Sequence, residues 1–316
     1  MGCSIPYPPM EEMNSSDTCR SPSGFRQYPI SPSRTPQQHF IHFPRGPILP
    51  KDTLNECIAG QLVFLGTGTS HGVPMIGCGC QTCTSRDPRN HRTRCSVVLG
   101  LPEGNLLIDT PPELRIQFTR ERIGVAHGIL YTHGHADHLF GLDDVRIFPR
   151  YLDHVLPVYC EENVEHIIRR AFSYAFDPEV QNYPAGGIPK LIFRRIGLEP
   201  FAVLGGMVQP VRLLHGRLPV LGFRIGNVAY CTDVKTIPPE SAAALGGLDV
   251  LILDCLRREP HVTHMNWEEA LDAVARLAPR RAIFTHISHR LEHEAISREL
   301  PPGVELAYDG LRIPLS

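Results

Sequence analysis

Residues 131–138 read Tyr-Thr-His-Gly-His-Ala-Asp-His and constrain the fold more than any other part of the 316-residue chain. They follow an apolar run, residues 128–131, so the sequence predicts a buried strand that ends in a turn rich in metal-binding side chains. His133 and His135 alternate at strand spacing and point the same way, whereas Asp137 and His138 lie past the turn and can face a second ion. This arrangement predicts a centre of two metal ions.

The same four side chains match the motif H-x-H-x-D-H, and from about residue 62 to residue 314 the chain resembles the metallo-β-lactamase-fold hydrolases. The resemblance implies an α/β fold, the metallo-β-lactamase αββα sandwich, in which two mixed β-sheets are flanked by helices. The motif indicates fold and metal but not substrate, because one scaffold carries many chemistries.

The composition divides the chain into a tail and one domain. Ten of the 30 prolines lie in the first fifty residues, among serines and glutamines, so residues 1–58 are predicted to be a disordered N-terminal tail. Residues 59–316 are predicted to form the hydrolase domain, since α/β folds of this size often form one unit. A hydrophobic fraction of 42% is enough for a sizeable core.

The net charge and the hydropathy of the chain limit the kinds of binding partner that are expected. A net charge of −2 gives no basic field for a polyanion, so nucleic acid is not favoured. The small phosphorylated substrate that is expected is implied by the resemblance. No apolar run approaches the ~18 residues needed to span a bilayer, so no membrane segment is predicted. No signal peptide is evident, and a reducing cytoplasm is predicted for the ten cysteines. A homodimer formed through an exposed sheet edge stays open.

A second metal site is predicted from Cys78, Cys80 and Cys83. Three thiols on a glycine-containing loop can converge on one tetrahedral zinc, whose fourth ligand comes from elsewhere. Three such cysteines together with a late histidine resemble the PhnP-like branch, the phosphoribosyl 1,2-cyclic phosphate phosphodiesterases. The resemblance implies His289 as the fourth ligand of a structural zinc, and His293 is a competitor that spacing does not exclude.

The resemblance also implies the remaining ligands of the two-metal centre. His215 ends the predicted strand 207–214, where the superfamily pattern has a histidine. Asp233 follows the predicted strand 228–232 and fits a bridging carboxylate, because its two oxygens can each bind one ion. His286 follows the predicted strand 281–285. The predicted sets are His133, His135 and His215 on one ion and Asp137, His138 and His286 on the other, with Asp233 shared. Manganese and zinc both suit these nitrogen and oxygen donors.

Further residues are assigned by chemistry or by resemblance. His264, just before the predicted helix 266–277, resembles the general-acid histidine of PhnP-like enzymes, and His261 is the alternative. Asp137 is the second predicted catalytic residue, since it can orient the attacking water or accept its proton. Arg146 lies in a segment that resembles the PhnP-like branch and is predicted to contact a substrate phosphate. Asp109 ends the predicted strand 105–109, either as a partner of a ligating imidazole or as a turn aspartate.

The residues alone predict a two-metal hydrolase. The resemblance implies a phosphodiesterase of phosphonate metabolism that converts 5-phosphoribosyl 1,2-cyclic phosphate to ribose 1,5-bisphosphate. Alternatives within the fold are a tRNA 3′-end processing endonuclease, whose H-x-H-x-D-H-x-x-G pattern residues 133–141 also meet, and a cyclic-nucleotide phosphodiesterase. The alternative from another class is a catalytically silent metal-binding domain. Such a domain would be expected to lack a ligand, whereas every ligand is present in the sequence.

Overall fold

The computed structural model describes residues 57–181 and 187–315. The predicted tail therefore lies outside the described residues, except for its last two positions. Of these, Ile58 is buried against the first sheet, and its carbonyl oxygen accepts a hydrogen bond from the Gln61 N–H at 2.9 Å.

Fourteen strands in the described residues form two seven-stranded sheets. The first sheet contains β1 (Gln61–Gly66), β2 (Ser96–Leu101), β3 (Gly104–Ile108), β4 (Gly128–Leu130), β5 (Leu156–Cys160), β6 (Leu191–Arg195) and β14 (Arg312–Pro314). The second contains β7 (Phe201–Val203), β8 (Gly206–His215), β9 (Leu218–Ile225), β10 (Val228–Cys231), β11 (Val250–Asp254), β12 (Arg281–Thr285) and β13 (Val304–Leu306). The strand orders are β14-β1-β2-β3-β4-β5-β6 and β13-β12-β11-β10-β9-β8-β7.

Both sheets mix parallel and antiparallel pairs. Strands β3 to β6 and strands β10 to β13 are parallel, and the other neighbours are antiparallel. Helices pack on the outer faces: α1 (Leu114–Glu121), α2 (Ala136–Leu139), α3 (Phe148–Leu152), α4 (Glu162–Ala171) and α5 (Pro178–Gln181) belong to the first half, and α6 (Pro239–Ala244), α7 (Trp267–Leu277) and α8 (His293–Ser297) to the second. The predicted αββα sandwich is confirmed.

The central strands are apolar on both faces because the middle of each sheet is covered on both sides. In β1, Leu62 and Phe64 pack between the two sheets, whereas Val63 and Leu65 pack under the outer helices. The same alternation holds in β11, where Ile252 faces the other sheet and Leu251 faces the outer layer. The continuous apolar runs in the sequence follow from this double burial.

The sequence after the metal motif favours a helix over residues 139–151, but the structure does not form one continuous helix there. The segment consists of α2, the 3₁₀ helix Leu142–Ile147 and α3. The helix is interrupted at Gly141, whose N–H donates to the carbonyl oxygen of Thr110 at 2.8 Å and not to its own helix. This position requires glycine, because a Cβ would lie 2.0 Å from the carbonyl oxygen of Pro111. Pro149 then occupies the first turn of α3, where its missing N–H needs no partner.

The start of α7 agrees with its prediction. Asn266 accepts a hydrogen bond from the Glu269 N–H at 2.9 Å, and the Glu269 carboxylate accepts one from the Asn266 N–H at 3.0 Å. This capping box fixes the chain directly after His264. None of the helices in the described part of the chain has the length and apolar character that crossing a bilayer requires.

Candidate metal centre and active site

The predicted ligand imidazoles meet where β4, β8 and β12 end. The ring centroid of His133 lies 4.5 Å from that of His135, 4.4 Å from that of His138 and 5.8 Å from that of His215. His135 and His215 lie 5.2 Å apart. His135 is exposed, and the other three are buried. Three separate segments of the chain, at the ends of β4, β8 and β12, thus bring their histidines to one place.

Asp233 lies between two groups of candidate ligands. Its Oδ2 lies 3.1 Å from Nε2 of His138, and its Oδ1 lies 3.5 Å from Nε2 of His286. The donor atoms of Asp137, His138, Asp233 and His286 lie within 4.8 Å of one another. Asp233 also belongs to a second group, in which the donor atoms of His215, Asp233 and His264 are equally close. A carboxylate in both groups has the position of a bridging ligand.

Asp109 fixes the tautomers of two of these imidazoles. Its Oδ2 lies 2.7 Å from Nδ1 of His138, and its two oxygens accept hydrogen bonds from the N–H and the hydroxyl of Thr132 at 2.9 and 2.8 Å. The Thr132 hydroxyl donates its proton to Asp109. Nδ1 of His133 lies 2.9 Å from the same hydroxyl oxygen and must therefore donate its own proton to that oxygen. In both rings Nδ1 is thus engaged as the donor, and Nε2 is the atom that faces the cluster and is available to a cation.

His215 is oriented by the backbone in the same way. Its Nδ1 lies 2.9 Å from the carbonyl oxygen of Thr263, which can only accept, so Nε2 is again the free atom. His286 differs, because neither of its ring nitrogens makes a hydrogen bond to any residue that the structure describes. Buried ring nitrogens without hydrogen bonds are costly unless a ligand occupies them.

Three residues at the site have left-handed backbone conformations that side chains seldom adopt. The φ angles are 64° at Asp109, 55° at Asp233 and 57° at His286. Each follows the end of a strand, β3, β10 and β12 respectively. Such residues cost of order 1–3 kcal/mol each and are held in place by their surroundings. The strand ends are therefore strained at the positions that supply ligands and their partners.

The electrostatics of the cluster favour cations. Burial lowers the pKa of His133 and His286 and brings that of His215 to about 4, so these rings are neutral near pH 7 and able to coordinate. Burial also acts to lower the pKa of His138, but the carboxylates of Asp233 and Asp109 outweigh it and raise that pKa well above its usual value. The negative charge that stabilises a proton there would equally stabilise a divalent ion.

Asp254 is a site residue that the sequence analysis left without a role. It is fully buried, accepts a hydrogen bond from the Val234 N–H at 2.9 Å, and lies 2.7 Å from Nδ1 of His264. The signal was available, since Asp254 ends an apolar strand as Asp109 and Asp233 follow theirs. By holding Nδ1, Asp254 leaves Nε2 of His264 for chemistry in the cluster.

Of the two candidate general acids, His264 is nearer to the ligands. Its ring stacks on His286 at 4.5 Å and lies 4.5 Å from His215. His261 lies one ring further out, 5.1 Å from His264. The geometry thus favours His264 over His261 as the predicted acid.

Arg146 does not join this cluster in the structure. Its guanidinium pairs with Asp143 at 2.8 Å and contacts the carbonyl oxygen of Gly187 at 3.4 Å. The cleft beside the cluster has a volume of about 230 Å³ and is lined by other residues, namely Thr69, Ser70, His71, Gly72, Met75, Leu256, Arg257, His261, His264, His286, Ser288, His289 and Arg290. The assignment of Arg146 to a substrate phosphate thus receives no support from the described lining.

The three cysteines of the early loop meet His289. Nδ1 of His289 lies 3.3 Å from Sγ of Cys78 and 3.4 Å from Sγ of Cys80, and the donor atoms of all four residues lie within 4.8 Å of one another. A hydrogen bond from the Cys83 N–H is the main cause that lowers the pKa of Cys80 to about 6, whereas burial raises that of Cys83 to about 11. His293 is absent from this group and packs against Tyr308 instead.

A buried arginine ties this loop to the main cluster. Arg92 is 1% exposed, and its guanidinium donates to the carbonyl oxygens of Ser288 and Leu291 at 3.0 and 2.9 Å, on either side of His289. Since His286 and His289 share this segment, the position of one site constrains that of the other.

Both groups fit metal ions by the chemistry of their donors. Imidazole nitrogens and carboxylate oxygens, with buried Nε2 atoms at His133 and His286 that make no hydrogen bond among the described residues, suit divalent cations such as zinc or manganese. Three thiols and an imidazole suit tetrahedral zinc.

Comparison with known proteins gives the relationships of the chain. Residues 104–287 match a family model described as the beta-lactamase superfamily domain. A solved structure described as a new diphosphatase from the PhnP family is 41% identical, with a TM-score of 0.74, covering 80% of this chain and 96% of that one.

Two curated proteins carry other descriptions. An octanoyltransferase of Porphyromonas gingivalis is 37% identical over 255 residues, which is 79% of this chain and 51% of that protein, so the chain spans about half the length of this relative. The coenzyme PQQ synthesis protein B of Methylobacterium sp. strain 4-46 is 27% identical, covering 81% of this chain and all of that protein.

Proposed function

This chain belongs to the beta-lactamase superfamily, with a PhnP-like character, and from this membership we propose that it is a metal-dependent hydrolase of phosphate diesters in small molecules. The observation that carries the proposal is the position of Asp233, whose donor atoms are grouped with those of Asp137, His138 and His286 on one side and with those of His215 and His264 on the other. The rings of His133 and His135 lie 5.8 and 5.2 Å from that of His215. The substrate proposed first is 5-phosphoribosyl 1,2-cyclic phosphate, with ribose 1,5-bisphosphate as product.

Two divalent ions bound by these residues would supply an activated water and neutralise negative charge on the phosphoryl group. Asp137 is the acid nearest to the solvent side of the group, with a side chain 13% exposed. Burial acts to raise its pKa, but the charge and hydrogen bond of His138 outweigh it and the pKa lies below its usual value. Asp137 is therefore ionised and can accept a hydrogen bond that orients the attacking water. Because its pKa is low, it is only a weak base for the proton of that water.

His264 is assigned as the acid that protonates the leaving oxygen. Asp254 holds its Nδ1, so the transferred proton is the one on Nε2. Burial lowers the pKa of His264, which makes its protonated form a stronger acid that is present in a smaller fraction of molecules. A stronger acid suits a substrate whose leaving group is a sugar hydroxyl, because an alkoxide leaves poorly without a proton.

The likeness to a protein described as a diphosphatase supports a second candidate, the hydrolysis of a diphosphate that is esterified at both ends. In both substrates the attacked phosphorus carries one negative charge and two ester or anhydride links. The leaving groups differ, because a phosphate monoester has a second pKa of about 6 and leaves without help from an acid.

The leaving groups provide the test. Phosphorus NMR of metal-replete protein is recorded with 5-phosphoribosyl 1,2-cyclic phosphate, with P1,P2-diphenyl diphosphate and with bis(p-nitrophenyl) phosphate, using His135→Ala as the inactive control. We expect His264→Gln to slow the cyclic substrate by about 10²- to 10⁴-fold and the diphosphate by much less. Turnover of the diphosphate alone would select the second candidate. Failure of the metal-replete protein to hydrolyse any of the three would refute the proposal.

A further inference from the structure

The early loop contains a second kind of chemistry besides metal binding. Two of its three cysteines have the Cys-x-x-Cys spacing, since only residues 81 and 82 separate Cys80 from Cys83. In a chain predicted for a reducing compartment, this spacing is typical of metal sites and of thiols that cycle between reduced and oxidised forms. The reduced thiolates are the form that binds zinc.

The backbone brings the two thiols of this pair close together. Residues 80–84 form a helical turn, in which the Thr84 N–H donates to the carbonyl oxygen of Cys80 at 3.0 Å. Residues three positions apart in a turn have Cα atoms less than about 7 Å apart, and disulfides span Cα distances of about 4.4–6.8 Å. The Cys83 N–H lies 3.5 Å from Sγ of Cys80, and both sulfur atoms belong to the group of donor atoms that lie within 4.8 Å of one another. A disulfide between them therefore requires side-chain rotation and leaves the turn intact.

The two thiols differ in their access to solvent. Cys80 is half-buried, so a small oxidant can reach its sulfur atom. Cys83 is 6% exposed, and its sulfur accepts a hydrogen bond from the Met75 N–H at 3.3 Å. Cys80 is thus placed to react with an oxidant from solution, and Cys83 is placed to attack the oxidised sulfur from inside the loop.

We propose that Cys80 and Cys83 are a peroxide-sensitive pair, which closes to a disulfide in the presence of hydrogen peroxide and releases the zinc ion that the pair holds with Cys78 and His289. The inference goes beyond the proposed function, because it assigns a modification to the structural zinc site and makes the loop responsive to oxidants.

The oxidation is a two-electron reaction in two steps. The Cys80 thiolate attacks one oxygen of hydrogen peroxide, the O–O bond breaks, and a sulfenic acid and hydroxide form. The Cys83 thiolate then attacks the sulfur of that acid, the S–O bond breaks, and the disulfide and a second hydroxide form. The two thiolates together lose two electrons, and the peroxide gains them. Because a disulfide carries no thiolate charge, two of the four zinc ligands are lost.

The zinc loop also forms part of the cleft beside the metal cluster. Residues 69–72 and Met75 contribute one part of the lining, and residues 288–290 contribute another. Sγ of Cys78 and Sγ of Cys80 connect the two parts, at 3.3 and 3.4 Å from Nδ1 of His289. Loss of the zinc should therefore loosen the connection between these two parts of the cleft.

His286 is held by bonds that do not involve the thiols. The N–H groups of Ile287 and Ser288 donate to the carbonyl oxygens of Thr67 and Leu256 at 2.8 and 3.0 Å. Oxidation of the pair should therefore change how a substrate fits the cleft and leave the metal content of the cluster unchanged.

The test treats the metal-replete full chain with hydrogen peroxide. Released zinc is measured with a colorimetric chelator, and the disulfide is located by differential alkylation followed by tandem mass spectrometry. We expect one zinc ion to be released for each disulfide formed, with the bond between Cys80 and Cys83. Reduction with a thiol and addition of zinc should restore the site. A disulfide between Cys78 and Cys80, or retention of zinc at doses that oxidise the exposed thiol of Cys57, would overturn the inference.

Two variants separate the roles of the thiols. Cys57→Ser removes an exposed thiol outside the loop and should leave zinc release unchanged. Cys83→Ser removes the second thiol of the pair, so the sulfenic acid at Cys80 should persist and be trapped by dimedone. This trapping needs no bound zinc, so it remains valid where the variant is purified without the metal. Absence of a trapped sulfenic acid at Cys80 would overturn the order of attack.

Hydrolysis gives a further readout, which rests on the proposed function. Oxidised protein is expected to show KM raised by about 2- to 10-fold, the range for one displaced hydrogen bond, and to recover after reduction. An unchanged KM beside a mapped disulfide would overturn the effect on the cleft. A protein that hydrolyses no phosphate diester but releases zinc through this disulfide would overturn the proposed function and leave the peroxide-sensitive pair standing.

Discussion

The Asp109→Asn variant should still fold but should bind metal ions more weakly than the wild type. The carboxylate makes three hydrogen bonds, to Nδ1 of His138 and to the N–H and hydroxyl of Thr132. Asparagine has the same shape but offers only one acceptor oxygen. If that oxygen keeps the Thr132 N–H, the amide NH₂ faces His138 and donates to its Nδ1, and the proton of that ring moves to Nε2, where it blocks a metal ion.

The second imidazole is affected through Thr132. Once the amide donates to the Thr132 hydroxyl, that hydroxyl turns its proton towards Nδ1 of His133, and the tautomer of His133 inverts as well. The opposite amide orientation preserves the bond to His138 but sets two N–H donors against each other at Thr132. Either way one buried donor or acceptor is mispaired, which costs about 1–3 kcal/mol of the free energy of unfolding. Loss of such an outer partner typically costs about 10- to 100-fold in metal affinity.

The assay measures metal affinity by dialysis against a buffered series of free zinc or manganese, followed by elemental analysis, together with urea unfolding of the metal-free protein. Asp309→Asn is the matched control. The side chain of Asp309 is 5% exposed and accepts from Thr67, from the N–H and hydroxyl of Thr93 and from Arg120, but none of these is a candidate ligand. We expect both variants to lose stability and only Asp109→Asn to lose affinity. Wild-type affinity in a folded Asp109→Asn protein would refute the tautomer argument.

Two further predictions concern the zinc loop and a buried histidine. His289→Ala should lose the zinc held with Cys78, Cys80 and Cys83, whereas His293→Gln should retain it; elemental analysis of the purified proteins checks this, and zinc loss in the second variant alone would exchange the two assignments. Burial lowers the pKa of His127 to about 4, and its Nδ1 accepts the Asn105 N–H at 3.0 Å, so protonation favours the unfolded chain. The neutral His127 ring contributes fully to the free energy of unfolding above pH 6.5, the usual pKa of histidine, and this contribution is lost as the pH falls towards 4. The loss between pH 8 and pH 5 is about 2 kcal/mol. Urea unfolding of the wild type and of His127→Gln at the two pH values should show a shallower pH dependence in the variant; equal slopes would contradict the linkage.

The local predictions succeeded where a short stretch of sequence contains its own signal. The strand 281–285 was predicted to the residue because four apolar or β-favouring residues, 282–285, follow Arg281 and lead directly to His286. The cap at Asn266 was predicted because asparagine is a preferred residue directly before a helix, and the structure adds its partner Glu269 three residues further on. The prediction of one helix over residues 139–151 was wrong because the backbone that lies against Gly141, at the carbonyl oxygen of Pro111, comes from another part of the chain.

What the sequence by itself determined is the fold and the candidate ligands in residues 133–138, because a dense motif after an apolar strand is local and its residue types fit one chemistry. The candidate ligands His215, Asp233 and His286 followed from the resemblance. Only the tertiary structure decided which residues hold those ligands in position through hydrogen bonds. Asp109, Asp254 and Arg92 are single polar residues, and each acquires its role from partners that lie up to 199 positions away in the sequence. The physical reason is that hydrogen bonds which fix a tautomer or hold a loop act over about 3 Å in space, whatever the separation along the chain.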